Sequence, residues 1–203
     1  MLNILLTGIG GQGTVLAAKL LAQSAHSKGW KVRTAETIGM AQRGGSVVSH
    51  VRIATDNEIV NEPLVAEGSA DLIISFEPSE ALRVLPYLRK GGMLITASSP
   101  VQPVSAALTK KTYKSEEVLS YLGEVVPRFL AVDDLTLCER AGGRKVLNTL
   151  LLAITLSEAN VGIGVDDLRD ALKTRMKESY VDMNLKAIEI ALSSLEPSSY
   201  DRS

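Results

Sequence analysis

Apolar and polar positions change period several times along the chain, and each change marks an element. Leu2-Asn3-Ile4-Leu5-Leu6-Thr7 is a short, nearly continuous apolar run, the pattern of a central strand buried on both faces of a parallel sheet. From residue 12 to residue 28 the spacing becomes helical and stops at Gly29. Residues 30–37 alternate and predict a second strand, and residues 38–45 break the pattern as a loop. Ser46-Val47-Val48-Ser49-His50-Val51-Arg52-Ile53 alternates again, predicting a half-exposed strand from a β-hairpin or an antiparallel edge. Residues 71–76 read as a further buried strand stopped by Glu77-Pro78, and residues 79–88 as a helix ending at Gly91-Gly92. A strand over 93–96, a Ser/Pro-rich loop over 98–103, a short helix over 115–122 and a last strand over 128–132 follow. From Arg144 onward the pattern is helical, over 145–159, 165–172 and 178–192, with a frayed tail at 193–203. Strands alternating with helices predict an α/β fold: a Rossmann-like, doubly wound, mostly parallel sheet with a helical C-terminal part. The chain reads as a single domain over 1–192, without internal repeats or low-complexity segments.

Composition narrows the function classes. With 203 residues and 45% hydrophobic content the chain can bury a sizeable core. A net charge of -1, no basic stripe and 4% aromatics argue against a nucleic-acid surface. No apolar stretch approaches membrane-spanning length and the N-terminus lacks a signal peptide's basic segment, so the expected location is cytoplasmic. Cys138 is the one cysteine, which excludes an intramolecular disulfide and a cysteine-ligated zinc or iron–sulfur site within the chain. His26 and His50 are the only histidines, so imidazole catalysis has few candidates.

Ligands of open parallel sheets bind beyond the carboxyl ends of the strands, and three such ends carry suggestive residues. The first strand runs into Gly8-Ile9-Gly10-Gly11-Gln12-Gly13-Thr14 and then a helix, which is G-x-G-x-x-G between strand and helix. That arrangement presents unpaired amides and the positive end of a helix dipole to an anion, although plain turn geometry also calls for glycines there. The second end is Gln42-Arg43-Gly44-Gly45-Ser46, where the Arg43 fork suits a phosphate, a carboxylate or a partner chain, or is a surface arginine on a tight turn. The third is Phe76-Glu77-Pro78-Ser79, with Ser79 expected to cap the following helix. Glu36, near the end of the second strand, stands where a dinucleotide site places its ribose-holding acid. His50 is expected at solvent or an interface, His26 as a polar helix-end residue, and Cys138 as a small buried hydrophobe. Asp133-Asp134 and Asp166-Asp167 read better as helix starts than as cation ligands.

Two segments together resemble a known family. Gly8-Ile9-Gly10-Gly11-Gln12-Gly13-Thr14 and Met40-Ala41-Gln42-Arg43-Gly44-Gly45-Ser46-Val47-Val48-Ser49-His50-Val51-Arg52 look like the gamma-type domain of 2-oxoacid:ferredoxin oxidoreductases. The second segment is most similar to the beta subunit of the indolepyruvate:ferredoxin enzymes, and the likeness extends through Phe76-Glu77-Pro78 and Asn148 to Tyr180-Val181-Asp182-Met183-Asn184-Leu185-Lys186-Ala187. The resemblance implies oxidative decarboxylation of an aryl-pyruvate with coenzyme A, giving an aryl-acetyl-CoA, carbon dioxide and reduced ferredoxin. It implies a large partner subunit carrying thiamine diphosphate, magnesium and 4Fe-4S clusters, with ferredoxin met through the complex. This chain has no Gly-Asp-Gly segment followed by paired asparagines for a thiamine site, and it would hold no metal and no catalytic residue. Carried over residue by residue, Gly8, Gly10, Gly11, Gln12, Gly13 and Thr14 would contact a nucleotide or coenzyme A. Gln42, Arg43, Gly44 and Gly45 would lie near the substrate entrance or the partner. One departure is Leu151-Leu152 after Asn148, where relatives tend to have glycine. The alternatives are an NAD(P)-dependent dehydrogenase using residues 8–13 and Glu36, or a noncatalytic nucleotide-binding module. Met176, Tyr180 and Met183 are either an assembly surface or intramolecular core.

Overall fold

The computed structural model describes residues 1–39, 45–55, 58–101 and 113–195. Six strands form one mixed sheet in the order β2-β3-β1-β4-β5-β6. They are β1 (Leu2–Ile9), β2 (Lys31–Ile38), β3 (Ser46–Ala54), β4 (Ala70–Ser75), β5 (Leu88–Ala97) and β6 (Arg128–Val132). β1, β4, β5 and β6 pair in parallel, while β3 runs antiparallel to both β1 and β2. The helices are α1 (Thr14–Ser27), α2 (Pro78–Val84), α3 (Ser115–Val125), α4 (Asp134–Arg140), α5 (Leu147–Glu158), α6 (Val165–Arg175) and α7 (Glu178–Leu195). Short 3-10 turns at Leu85–Tyr87 and Arg144–Val146 continue α2 and lead into α5.

The pleat sorts the apolar run of β1 between two cores. Ile4 and Leu6 pack with α1, α4, α5, α6 and α7 on one face, and Leu5 packs with α2 and α3 on the other. Both faces being covered explains why β1 reads as a continuous apolar string. α5 is buried along Leu147, Asn148, Thr149, Leu150, Leu151, Leu152, Ala153, Ile154, Thr155 and Leu156, so it runs through the core rather than along its surface. Leu151 and Leu152 are fully buried, which settles the packing at that departure. α1 follows β1 on one face and α2 follows β4 on the other, so the chain leaves adjacent parallel strands in opposite directions. A crevice at such a switch point is where doubly wound sheets take ligands.

Several expectations change in detail. β3 belongs to a hairpin with β2, but it is inserted between β2 and β1 and is not half-exposed: Ser49 and His50 are 0% and 5% exposed. Periodicity cannot reveal strand order, and Val65, packed with Val48, covers the face that the polar residues implied was open. The Gly91-Gly92 pair ends no helix; it lies inside β5. Ala70 faces Leu88 but Leu72 faces Met93, and the extra residues bulge where Gly91 takes φ +76°. α4 was anticipated only through its cap. α7 continues to Leu195, past the expected end of order at 192, and residues 196–203 lie outside the described residues. Residues 102 and 103 of the Ser/Pro-rich loop lie outside them too. Among the described residues no helix is long and apolar enough to cross a membrane.

Candidate functional site

The carboxyl ends of β1 and β4 and the base of the β2–β3 hairpin are joined by backbone and one side chain. The Gln12 carboxamide accepts from the Ile9 N–H at 2.7 Å and donates to the Phe76 carbonyl at 2.8 Å. Phe76 N–H donates to the Thr7 carbonyl at 2.8 Å, and Gly10 N–H donates to the Gly45 carbonyl at 2.9 Å. Gly8 lies where this convergence is tightest: a Cβ there would stand 2.8 Å from Gln12 Oε1 and 3.0 Å from the Phe76 Cβ. Gly39 N–H donates to the Ser46 carbonyl at 2.8 Å and closes the hairpin base. Gly45 is thus beside the first loop, while Gln42, Arg43 and Gly44 lie outside the described residues.

Gly13 caps α1 in the left-handed region at φ +84°, and no side chain caps the helix. The amides of its first turn, from Thr14 onward, have no intrahelical acceptor. Beside them lies Asn148, whose Nδ2 would stand 3.1 Å from a Cβ at Gly13. Asn148 is 4% exposed; its Oδ1 accepts from Thr149 N–H at 2.9 Å, and its Nδ2 has no acceptor among the described residues. Converging amides, a positive dipole end and a carboxamide donor fit a phosphate or carboxylate group.

Two buried carboxylates flank this arrangement. Glu80 Oε2 accepts from Ser46 Oγ at 2.5 Å, Thr7 Oγ1 at 3.3 Å and Arg83 Nε at 3.1 Å, tying β1, β3 and α2 together. Arg83 Nη2 also donates to Ser46 Oγ. Glu77, fully buried, caps α2 by accepting from Glu80 N–H at 3.0 Å, while Ser79 Oγ donates to the same oxygen at 2.5 Å. The cap is therefore Glu77 and not Ser79, because Pro78 occupies the first helical position and the residue before it takes the extended conformation of a cap. Burial raises the Glu77 pKa, against the pull of the Ser79 hydroxyl and of backbone N–H groups at Glu80, Val101 and Ser79.

Sequence reasoning missed Asp134 as a hub. It is fully buried and accepts from Ser98 N–H at 3.0 Å, Ser99 N–H at 2.9 Å and Ser99 Oγ at 2.5 Å, with Arg144 Nη1 at 2.8 Å. The neighbouring Asp133 is the α4 cap, accepting from Thr136 N–H at 3.2 Å. An Asp-Asp pair after a strand signals one cap, and nothing local tells that the second acid turns inward to partners far along the chain.

The remaining candidates fall away from the switch point. Glu36 is exposed on β2, and the inserted β3 separates it from β1 by two strand spacings, roughly 10 Å instead of about 5 Å. A ribose-holding acid next to the first strand is therefore missing. His50 Nδ1 accepts from Val65 N–H at 3.1 Å and is buried, not at solvent, and desolvation lowers its pKa. His26 is exposed in the last turn of α1. Cys138 is buried and its thiol is pushed up to about 11 by burial, so it packs as a hydrophobe. Asp167 accepts from Gly164 N–H at 2.7 Å at the start of α6.

Known proteins share this architecture and sequence. The profile of the pyruvate ferredoxin/flavodoxin oxidoreductase family matches residues 3–194. The chain is 37% identical over 190 residues to the indolepyruvate oxidoreductase subunit IorB of Archaeoglobus fulgidus, covering 93% of this chain and 92% of that one. It is also 28% identical over 189 residues to the common gamma subunit of pyruvate/ketoisovalerate oxidoreductases of Thermococcus litoralis, covering 92% and 93%. In fold it is similar to the gamma subunit of a keto/oxoacid ferredoxin oxidoreductase from Geobacter sulfurreducens, with a TM-score of 0.66, 20% identity and coverage of 95% and 97%. A 2-oxoglutarate:ferredoxin oxidoreductase from Magnetococcus marinus gives a TM-score of 0.70 at 16% identity, covering 95% of this chain and 30% of that one. A family profile spanning nearly the whole sequence, carried on a sheet of matching architecture, means that the chain belongs to the pyruvate ferredoxin/flavodoxin oxidoreductase family.

Proposed function

We propose that this chain is the small subunit of a 2-oxoacid:ferredoxin oxidoreductase acting on an aryl-pyruvate such as indolepyruvate. In that reaction the carboxylate leaves as carbon dioxide, the acyl carbon forms a thioester with coenzyme A, and the electrons pass to ferredoxin. The observation that carries the reading is end-to-end similarity to subunits named for indolepyruvate oxidoreductase, at 37% identity in two archaeal relatives. One cysteine is too few for a 4Fe-4S cluster, so the clusters belong on a larger partner, and the missing Gly-Asp-Gly segment with paired asparagines assigns the thiamine diphosphate there too. In this reading the 8–14 loop, with Gly8, Gly10, Gly11, Gln12, Gly13 and Thr14, faces coenzyme A, and the 42–45 segment faces the substrate entrance or the partner. Gly8 and Gln12 serve that role by fixing the loop against β4 rather than by touching the ligand. The displaced Glu36 removes the main support for a dinucleotide site.

The test is recovery of the chain from its native host with a larger thiamine- and cluster-bearing polypeptide, followed by assay of the complex. Indolepyruvate, phenylpyruvate and a branched-chain 2-oxoacid are compared, with coenzyme A and ferredoxin. Turnover only by the complex, fastest with an aryl substrate, is expected. Turnover by the isolated chain overturns the reading, as does recovery with no such partner.

A further inference from the structure

We propose that β2 is an interface between two copies of this chain, which pair antiparallel along their free edges with Ala35 opposite Ala35 and join their sheets into one. β2 is an outermost strand of the sheet. Its ladder to β3 fixes which main-chain groups face outward. Gly39 N–H donates to the carbonyl of Ser46 across from it, so the odd-numbered residues of β2 exchange hydrogen bonds with β3. The N–H and C=O groups of Val32, Thr34, Glu36 and Ile38 then point away from the sheet, and they have no partner among the described residues. Exposed edges are commonly blunted by a proline, a bulge or a very short strand. β2 has none of these: its 8 residues contain no proline, and they hold an unbroken register from Lys31 to Ile38. Ile38, at its end, is 67% exposed.

The side chains of β2 select a second copy and one register. Directly opposed residues of an antiparallel pair share a face, so across a two-fold axis an even-numbered residue faces an even-numbered one. With Ala35 on the axis, Thr34 faces Glu36, Val32 faces Ile38 and Arg33 faces Thr37. The outward-pointing residues are then the hydrogen-bonded pairs, and the copies exchange about eight main-chain bonds. Val32 and Ile38 cover each other at both ends, Thr34 offers a hydroxyl to Glu36, and no charged side chain opposes one of like sign. Sliding the copies by one step in one direction sets Glu36 against Glu36. Sliding them by one step in the other carries Ile38 past Lys31, so it faces no residue of the opposing strand and its bonds are lost. The edge is therefore complementary to itself in the register centred on Ala35. This interface is independent of the coenzyme A reading and of the subunit reading above.

Sedimentation equilibrium on the full chain, with substitutions at exposed Thr34, tests the proposal. The parent is expected to show a concentration-dependent monomer–dimer equilibrium. Thr34→Glu sets like charges against Glu36 twice per dimer and is expected to raise the dimer Kd by about tenfold, whereas Thr34→Lys sets opposite charges there and is expected to lower it. A chain that stays monomeric up to about 1 mM overturns the interface, as does a dimer whose Kd neither substitution moves. If both substitutions weaken the dimer, Thr34 faces itself and the register is wrong. Oxidative cross-linking gives a second reading. A pair like Ala35 with Ala35, not hydrogen-bonded, has Cα atoms about 4.5 Å apart, within the disulfide range of about 4.4–6.8 Å. Ala35→Cys is expected to link two copies and Thr37→Cys is not, with Cys138 buried and out of reach. Linking by Thr37→Cys as readily as by Ala35→Cys overturns the register. In a complex recovered from the native host, one copy of this chain alone, or Ala35→Cys linked to a different polypeptide, overturns the interface and leaves the subunit reading standing. A chain that dimerises as described yet joins no larger polypeptide sinks only that reading.

Discussion

Asp134 illustrates how much of this structure rests on single side chains with distant partners. Its carboxylate holds the start of the segment after β5 through Ser98 and Ser99, and it holds the turn before α5 through Arg144. Asp134→Asn keeps the shape but weakens charge-assisted bonds, and a loss of about 2–3 kcal/mol in urea unfolding is expected. Wild-type stability in the variant would reduce Asp134 to a spectator. His50 gives a pH signature. Its folded-state pKa lies below the ordinary 6.5 because burial disfavours the imidazolium, and protonation at Nδ1 would break the bond from Val65. Its contribution to stability is therefore complete above the unfolded-state value of 6.5 and is lost as pH falls through the folded-state pKa. His50→Gln retains an acceptor that does not titrate there, so urea midpoints at about pH 7.5 and 5.5 should fall less in the variant than in the parent. Parallel losses would contradict this account.

At the scale of elements, the β1–α1 connection depends on one carboxamide. Gln12→Ala leaves the Ile9 N–H and the Phe76 carbonyl without their partner, at an expected cost of about 1–3 kcal/mol. Faster hydrogen exchange at the Ile9 amide is the local readout, and unchanged exchange would show that the loop holds itself. Gly13 is the position where backbone conformation decides: Ala there must adopt φ +84° and crowd Asn148. Gly13→Ala is expected to cost about 1–2 kcal/mol, read as a lowered Tm. These elements were legible because the hydrophobic period switches at the glycines, and the switch is a local property of the chain. A serine in the first turn resembles a cap, but Pro78 holds Glu77 extended and makes Glu77 the cap of α2 in place of Ser79.

For the whole molecule, the α/β class and the helical C-terminal part followed from alternating patterns, whereas the order of strands did not. Nothing in the alternation of residues 46–53 says that β3 slots between β1 and β2, since that placement is a long-range pairing of Leu5 with His50 and of Ala35 with His50. The same limit applies to the surroundings of Asn148, which meets Gly13 only because α5 crosses the core. Met176, Tyr180 and Met183 were ambiguous for a similar reason: Met176 and Met183 pack partly against the core, yet Tyr180 is 47% exposed. Apart from the proposed complex, the isolated chain, given a 2-oxoacid, coenzyme A and an electron acceptor, is expected to show no turnover above buffer. Added to a partner that lacks it, the chain should restore activity.

The hairpin's closure has a bearing on how such a scaffold diversifies. With Gly39 latched to Ser46 and Gly45 stitched to Gly10, whatever segment is grafted between residues 39 and 45 inherits a fixed point of departure beside the β1–α1 loop. Register along β2 and β3 is set outside that segment, from Lys31 opposite Ala54 to Ile38 opposite Val47. A segment transplanted there from another subunit can thus bring new chemistry without asking the sheet to refold.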